Sequence, residues 1–102
     1  MRVSLFEAIA EPNRRQILDL LRAGERPAGE LVRLTGLSQP GVSKHLKTLR
    51  EAGLVKVRVD GQRRLYRLEA GKLAALDAWL NPFRSFWSER LDALGDHLEK
   101  EQ

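Results

Sequence analysis

The segment from Ser38 to Leu49 combines residue types that suit contact with nucleic acid. Ser38 is a favoured helix N-cap and Pro40 is tolerated in a first turn, so a helix is predicted to begin here. At about 100° per residue, Val42, Leu46 and Leu49 fall on one apolar face. The opposite face carries hydroxyl and ammonium groups and no carboxylate. Such side chains hydrogen-bond to base edges and phosphates, which favours a DNA recognition helix.

The face predicted to contact DNA contains hydroxyl, amide and basic side chains from successive turns. We assign to it Ser38, Gln39, Pro40, Ser43, Lys44, His45, Lys47 and Thr48. Gln39, at the start of the helix, is placed to reach a base edge. His45, at the margin of the apolar face, suits either half-buried packing or donation to a phosphate. The alternative interpretation of the whole segment is an ordinary amphipathic surface helix.

The positive charge of the chain is concentrated in one third of its length. The net charge is +4, yet residues 38–68 hold eight basic and two acidic side chains. The other residues hold ten basic and twelve acidic side chains. A contiguous basic segment of this kind is typical of an electrostatic footprint for nucleic acid. An anionic membrane surface is the alternative partner, but no long basic amphipathic helix with aromatic anchors supports it.

Two helices are predicted at the start of the chain. Apolar residues at helical spacing indicate the first over residues 3–10, and Glu11-Pro12-Asn13 interrupts it. The second runs from Arg14 to Arg22. At its start, Arg14 and Arg15 suit either contact with phosphate or a solvated position.

A third helix and a tight corner precede the recognition segment. The third helix opens at Pro27-Ala28-Gly29-Glu30, and Gly36 breaks it. Gly36-Leu37-Ser38 has the length of a helix-turn-helix corner, with Leu37 filling the angle between the two helices.

A hairpin is predicted after the recognition segment. Val55, Val57 and Val59 alternate with polar residues, and Asp60-Gly61 supplies a reversal into the extended residues 65–68. Because an isolated hairpin is marginally stable, we expect its valine face to pack on the helices. That arrangement leaves on the outer face and tip Lys56, Arg58, Arg63 and Arg64. A helix-turn-helix followed by a basic hairpin is a winged helix, whose wing lies along phosphates or in a minor groove.

Three stretches resemble the ArsR-type family of bacterial winged-helix repressors. They are Glu11-Pro12-Asn13-Arg14-Arg15-Gln16-Ile17-Leu18, the segment from Gly36 to Val55, and Asp60-Gly61-Gln62-Arg63-Arg64-Leu65-Tyr66-Arg67-Leu68. The resemblance covers residues from about 6 to 68. It implies base and phosphate contacts for Gln39, Pro40, Ser43 and Lys44, and wing positions for Arg63 and Arg64. It also implies a homodimer paired through the first and last helices.

The C-terminal third carries apolar and aromatic residues at helical spacing. A helix is predicted over residues 71–80, and a longer one follows Pro82, which either breaks or kinks the helical path. Two tryptophans and two phenylalanines in residues 79–87 exceed the need of a small core, which indicates a subunit interface. The alternative is that the tail folds back on its own domain. The residues that we assign to dimerisation are Leu5, Phe6, Ile9, Phe83, Trp87, Leu91, Leu94 and Leu98.

These elements predict a mainly α fold with a small β-hairpin, which is a winged helix-turn-helix domain with a C-terminal dimerisation helix. We expect residues 1–102 to form a single domain. Within it, residues 27–53 would form the helix-turn-helix and residues 55–68 the wing. Residues 1–10 and 71–102 would form the dimer interface.

Catalytic, cofactor and metal sites are not indicated. The chain has no cysteine, two histidines, no glycine-rich phosphate loop and no nucleophile with a plausible base. Asp96, His97 and Glu101 are the candidates for a metal site, but one imidazole with carboxylates is a poor ligand set for zinc. We therefore expect neither an enzyme nor a metal sensor. The charged N-terminal start predicts a cytoplasmic protein without a membrane span.

The sequence thus predicts a homodimeric, sequence-specific DNA-binding repressor on a two-fold symmetric operator, with an effector that it does not identify. Two other classes stay open. One is a protein-interaction winged helix that uses the aromatic tail and binds no DNA. The other is a nonspecific nucleoid-type binder, which would not discriminate an operator from random duplex.

Overall fold

A computed structural model describes residues 3–88 and residue 90 of the chain. Four helices come first along the chain, and a two-residue strand separates the second from the third. The helices are α1 (Leu5–Ala10), α2 (Pro12–Leu21), α3 (Ala28–Thr35) and α4 (Gln39–Glu51). The strands are β1 (Arg26–Pro27), β2 (Val55–Asp60) and β3 (Arg63–Leu68). After a 3-10 turn at Ala70–Leu73 comes α5 (Ala74–Leu80), followed by a second 3-10 turn at Asn81–Phe83 and helical residues 84–88.

The start of α2 lies two residues earlier than the sequence predicted. The carboxylate of Glu11 accepts a hydrogen bond from the backbone N–H of Arg14 at 2.9 Å, so Glu11 is the N-cap. Pro12 occupies the first position of the helix, where a missing N–H costs nothing. Pro12, which was predicted to lie in the break after the first helix, therefore begins α2.

The helix-turn-helix corner is built as the sequence predicted. Gly36 ends α3 in the left-handed conformation, with φ 73° and ψ 5°, which a residue with a side chain adopts rarely. Leu37 is partly buried against the core. Ser38 then caps α4 by accepting from the backbone N–H of Gly41 at 3.1 Å. The buried side chains that hold α4 on the other helices are Ile17, Leu31, Val42, Leu46, Leu49 and Leu54.

The sheet has three antiparallel strands in the order β1-β3-β2. The hairpin pairs Val55 with Leu68 at one end and Asp60 with Arg63 at the other. The strand β1 was not predicted, because two residues before a helix carry no alternation of polarity. The expectation of a buried valine face is wrong at Val59, which is 71% exposed, whereas Val55 is buried. The reason is the register, which places Val59 at the tip of the hairpin opposite Arg64.

Pro82 interrupts the C-terminal helical path without reversing the chain. It lies in the 3-10 turn Asn81–Phe83, and both Leu80 and Arg84 have right-handed helical backbone angles. The missing N–H of proline removes one helical hydrogen bond, so the tighter turn replaces one α-turn. No helix among the described residues is long and apolar enough to cross a lipid bilayer.

Candidate nucleic-acid interface

The exposed face of α4 is fixed by the burial of the opposite face. Val42, Leu46 and Leu49 are almost completely buried. Because these three side chains set the rotation of the helix, an outward face is shared by Ser38, Gln39, Pro40, Ser43, Lys44 and Lys47, all of which are exposed. Their exposure is what contact with DNA requires, and that contact stays a prediction. Their amide, hydroxyl and ammonium groups can hydrogen-bond to base edges and phosphate oxygens.

His45 lies apart from this face, whereas Thr48 lies on the same side of α4 as Lys44 but is only partly exposed. The His45 side chain is 18% exposed, and its Nε2 lies 3.9 Å from a carboxylate oxygen of Glu11 at the start of α2. Its Nδ1 is buried and has no hydrogen-bond partner among the described residues. Thr48 donates its hydroxyl to the backbone carbonyl of Lys44 at 3.2 Å. Of the two alternatives for His45, the structure shows half-buried packing; its assignment to the DNA-contacting face is not supported by this geometry.

A basic groove lies between the C-terminal half of α4 and the wing. Its volume is about 580 Å³, and it is lined by Lys47, Arg50, Glu51, Val55, Lys56, Val57, Arg58 and Arg67. We call it the helix–wing groove. Arg50 and Arg67 were not among the predicted site residues. Helical spacing places Arg50 one turn after Lys47, and the hairpin register places Arg67 opposite Lys56. Both residues could therefore have been predicted from the sequence.

Two of the wing cations are paired within the domain rather than free. Arg58 donates from Nε and Nη2 to the two carboxylate oxygens of Glu25, at 2.7 and 2.8 Å. Lys56 Nζ lies 2.9 Å from a carboxylate oxygen of Glu69. The hydrogen bonds from Arg58 hold the pKa of Glu25 below its usual value, and the same bonds raise the pKa of Arg58. The hydrogen bond from Lys56 likewise lowers the pKa of Glu69.

These two pairs reduce the positive excess that the sequence showed. Glu25 and Glu69 both lie outside residues 38–68, and the fold brings them to that segment. The excess of eight basic over two acidic side chains therefore falls from six charges to four. At the tip, Arg63 lies 3.6 Å from Asp60 in an exposed pair, and Arg64 is exposed opposite Val59.

Arg14 and Arg15 cap the preceding helix. Arg14 donates to the carbonyls of Ala8 and Glu7 at 2.6 and 2.9 Å. Arg15 donates to the carbonyls of Ile9 and Ala10 at 2.8 and 3.1 Å. These are the C-terminal carbonyls of α1, which have no partner inside the helix. Both arginines therefore have a structural role at the end of α1, and Arg15 is also exposed, as in the solvated alternative.

An exposed aromatic cluster joins α1 to the C-terminal segment. The Phe6 and Trp79 rings meet at 5.8 Å, and the Trp79 and Phe83 rings at 5.1 Å. Trp79 is 55% exposed, and Phe86 and Trp87 are exposed beyond it. Of the residues assigned to dimerisation, Leu5 and Ile9 pack partly against the core of their own domain. Leu91, Leu94 and Leu98 lie outside the described residues.

Within residues 3–88 and residue 90, no group of three histidine or acidic side chains could hold a metal ion. The sequence candidates Asp96, His97 and Glu101 lie outside that part of the chain.

Comparison with known proteins gives a consistent result. The family model described as bacterial regulatory protein, arsR family, matches residues 11–57, which contain α2, α3, α4 and the start of the wing. The HTH-type transcriptional regulator Rv2034 of Mycobacterium tuberculosis is 38% identical over 96 residues, covering 94% of this chain and 87% of the relative. The transcriptional repressor SdpR of Bacillus subtilis is 35% identical over 80 residues, covering 78% of this chain and 89% of the relative.

The fold is also found in solved structures. A crystal structure of a possible transcriptional regulator for arsenical resistance is 42% identical and has a TM-score of 0.71. The similarity covers 90% of this chain and 93% of the solved one. The residues matched by the family model include the outward face of α4.

Proposed function

Since the chain belongs to the arsR family of bacterial regulatory proteins, we propose that it acts as a homodimeric transcriptional repressor on a two-fold symmetric operator. The family is one of winged helix-turn-helix, DNA-binding transcription regulators. The observation that carries the proposal is the outward face of α4, which is polar and basic along its whole exposed length.

In the proposed complex, α4 enters the major groove of DNA. Gln39 and Ser43, on the first two turns, hydrogen-bond to base edges and supply sequence discrimination. Lys44 and Lys47 engage phosphates and supply affinity that falls as salt rises. Arg63 and Arg64, at the tip of the wing, reach a neighbouring phosphate backbone or minor groove.

The proposed dimer is supported by the aromatic cluster of Phe6, Trp79 and Phe83. Large exposed aromatic rings are enriched in subunit interfaces, and a small monomer rarely leaves several together in water. Phe6 lies in α1, Trp79 in α5 and Phe83 in the 3-10 turn that follows, all within the ranges that the sequence assigned to dimerisation. A two-fold dimer would place its two α4 helices in successive major grooves, with half-site centres about 34 to 36 Å apart.

The test is a binding titration of the purified full chain at one fixed salt concentration. One duplex carries the region upstream of its own coding sequence, and the other carries the same bases in scrambled order. The proposal expects selective binding of two chains per site to the first duplex. Equal binding to both duplexes would indicate a nonspecific binder, and no binding to either would indicate a protein partner.

A further inference from the structure

The ion pair between Glu25 and Arg58 spans the sheet from one edge to the other. Glu25 directly precedes β1, Arg58 lies in β2, and β3 runs between these two strands. In the register, both Arg58 and Pro27 are opposite Leu65 of β3. The guanidinium of Arg58 therefore reaches across the central strand to meet the carboxylate, although 33 residues separate the two in sequence.

The carboxylate of Glu25 occupies the guanidinium atoms of Arg58 that would otherwise bind a phosphate. Nε and Nη2 form the fork that recognises carboxylates and phosphates in a bidentate manner. Both atoms donate to Glu25, at 2.7 and 2.8 Å. A phosphate in the helix–wing groove must therefore displace the carboxylate before it gains the same contact.

The other cations of the groove differ from Arg58. In the part of the chain that the structure describes, no carboxylate forms an ion pair with Lys47, Arg50 or Arg67. The groove thus contains two cations, Lys56 and Arg58, that are matched with carboxylates, and three that are not. Of those three, Arg67 lies near enough to Glu25 and Glu69 to contribute to the lowering of their pKa values. Of the two matched cations, only Arg58 has a bidentate partner.

We propose that Glu25 masks Arg58 and thereby limits how many DNA phosphates the wing can engage. The inference rests on the proposed function, since it concerns the strength of DNA binding. Phosphate contacts carry no sequence information, so each one adds equally to binding of an operator and of random DNA. Masking one arginine per subunit lowers this sequence-independent affinity and leaves discrimination to α4.

The experiment measures affinity for the upstream and scrambled duplexes as a function of salt for the wild type, Glu25→Gln, Glu25→Asp and Arg58→Gln. Glu25→Gln removes the charge that holds the guanidinium. We expect the slope of log affinity against log salt concentration, the salt slope, to become steeper by about 0.9 per subunit or about 1.8 per dimer. The ratio of variant to wild-type affinity should therefore be about ten times larger at 50 mM salt than at 200 mM salt. Both duplexes should gain equally. Glu25→Asp keeps the charge but shortens the reach, so its slope should also steepen.

Two comparisons separate masking from other effects of the substitution. Asp19→Asn frees Arg22 from a looser exposed pair, 3.7 Å apart, at the end of α2 and outside the groove, so its slope should equal that of the wild type. Glu25→Gln placed in the Arg58→Gln background should add nothing, because the arginine to be released is gone. If the pair mattered only by holding the wing in place, Arg58→Gln and Glu25→Gln would weaken binding alike.

Two results would overturn masking: a Glu25→Gln slope equal to that of the wild type, or weaker binding by Glu25→Gln at low salt. The second would show that Glu25 positions Arg58 for phosphate instead. A wild-type protein that binds neither duplex at any salt is a different outcome, because it would overturn the proposed function itself.

Discussion

Phe6 of α1 meets Trp79 of α5 edge to face, with their ring centroids 5.8 Å apart, on a surface where both rings stay about half exposed. The contact joins α1 to α5, so the two helices present one apolar surface. Edge-to-face geometry stabilises such a pair by about 0.5 to 1.5 kcal/mol beyond area burial. The pair therefore helps to hold α1 against α5 within the single chain.

Trp79→Ala should weaken the proposed dimer more than it weakens the fold. The ring is 55% exposed in the single chain, so the domain core loses little when it is removed. At an interface, truncation of a buried tryptophan commonly costs about 2 kcal/mol or more, which corresponds to about a thirtyfold rise in the dissociation constant. Sedimentation equilibrium of the wild type and the variant measures this constant directly.

Val59→Ala is the matched control for that experiment. Val59 is a large apolar residue that is even more exposed, but it lies at the tip of the wing. Its substitution should leave the dissociation constant unchanged. Equal loss of dimer in both variants, or no loss in Trp79→Ala, would contradict the assignment of the aromatic cluster to the interface.

Gln39→Ala combined with Ser43→Ala should reduce discrimination between operator and scrambled duplex by at least about tenfold, since each good base contact contributes about 1 to 3 kcal/mol. Both side chains are exposed on α4, and neither supports the buried face. General affinity, measured on the scrambled duplex, should change little. An unchanged ratio of affinities would show that other residues read the bases.

Arg63→Ala combined with Arg64→Ala is expected to have the opposite effect. The two side chains are exposed at the wing tip, where we propose that they contact the DNA backbone. Binding to both duplexes should weaken together, and the salt slope should flatten. A slope equal to that of the wild type would place the wing away from the DNA backbone.

The recognition helix was predictable because its signals are local. Ser38 caps the helix through a residue three positions away, and Val42, Leu46 and Leu49 bury one face at helical spacing. The corner at Gly36 follows from a conformation that glycine adopts readily. Each of these features depends on neighbours within one or two turns, so the sequence alone determines them.

The pairing of Arg58 with Glu25 was not predictable in the same way. It depends on the short strand β1, which pairs with β3 through two residues only and shows no periodicity. The sequence analysis placed Arg58 on the outer face of the wing and named no partner for it. In the structure it pairs with a carboxylate 33 residues away. The partner of His45 was unpredictable for the same reason, because its contact with Glu11 depends on how α2 and α4 pack.

Gly53→Ala should destabilise the fold by about 1 to 3 kcal/mol, measured by urea unfolding. Gly53 follows α4 with φ 78°, a conformation that strains any residue with a side chain. A Cβ there would also lie 3.1 Å from Cε of Lys72, whose flexible chain must shift. Gly29→Ala is the control, because an added Cβ at Gly29 meets nothing within 4 Å and alanine favours the helix α3. Loss of stability in both variants, or in neither, would contradict this account of Gly53.

Acid should remove the stability that the charges of Glu25 and Glu69 contribute to the fold. The pKa values of Glu25 and Glu69 lie below the usual value, chiefly because of hydrogen bonds from Arg58 and Lys56. A carboxyl with a lowered folded pKa stabilises the fold above its unfolded pKa, and this contribution disappears as pH falls through the folded pKa.

We therefore expect the difference in unfolding free energy between wild type and the Glu25→Gln, Glu69→Gln double variant to be constant near neutral pH. It should shrink toward zero as pH falls below about 4.3, the ordinary glutamate pKa. Urea unfolding of both proteins across this range measures it. A difference that persists at the acid end would show that the two carboxylates stabilise the wing by packing rather than by charge.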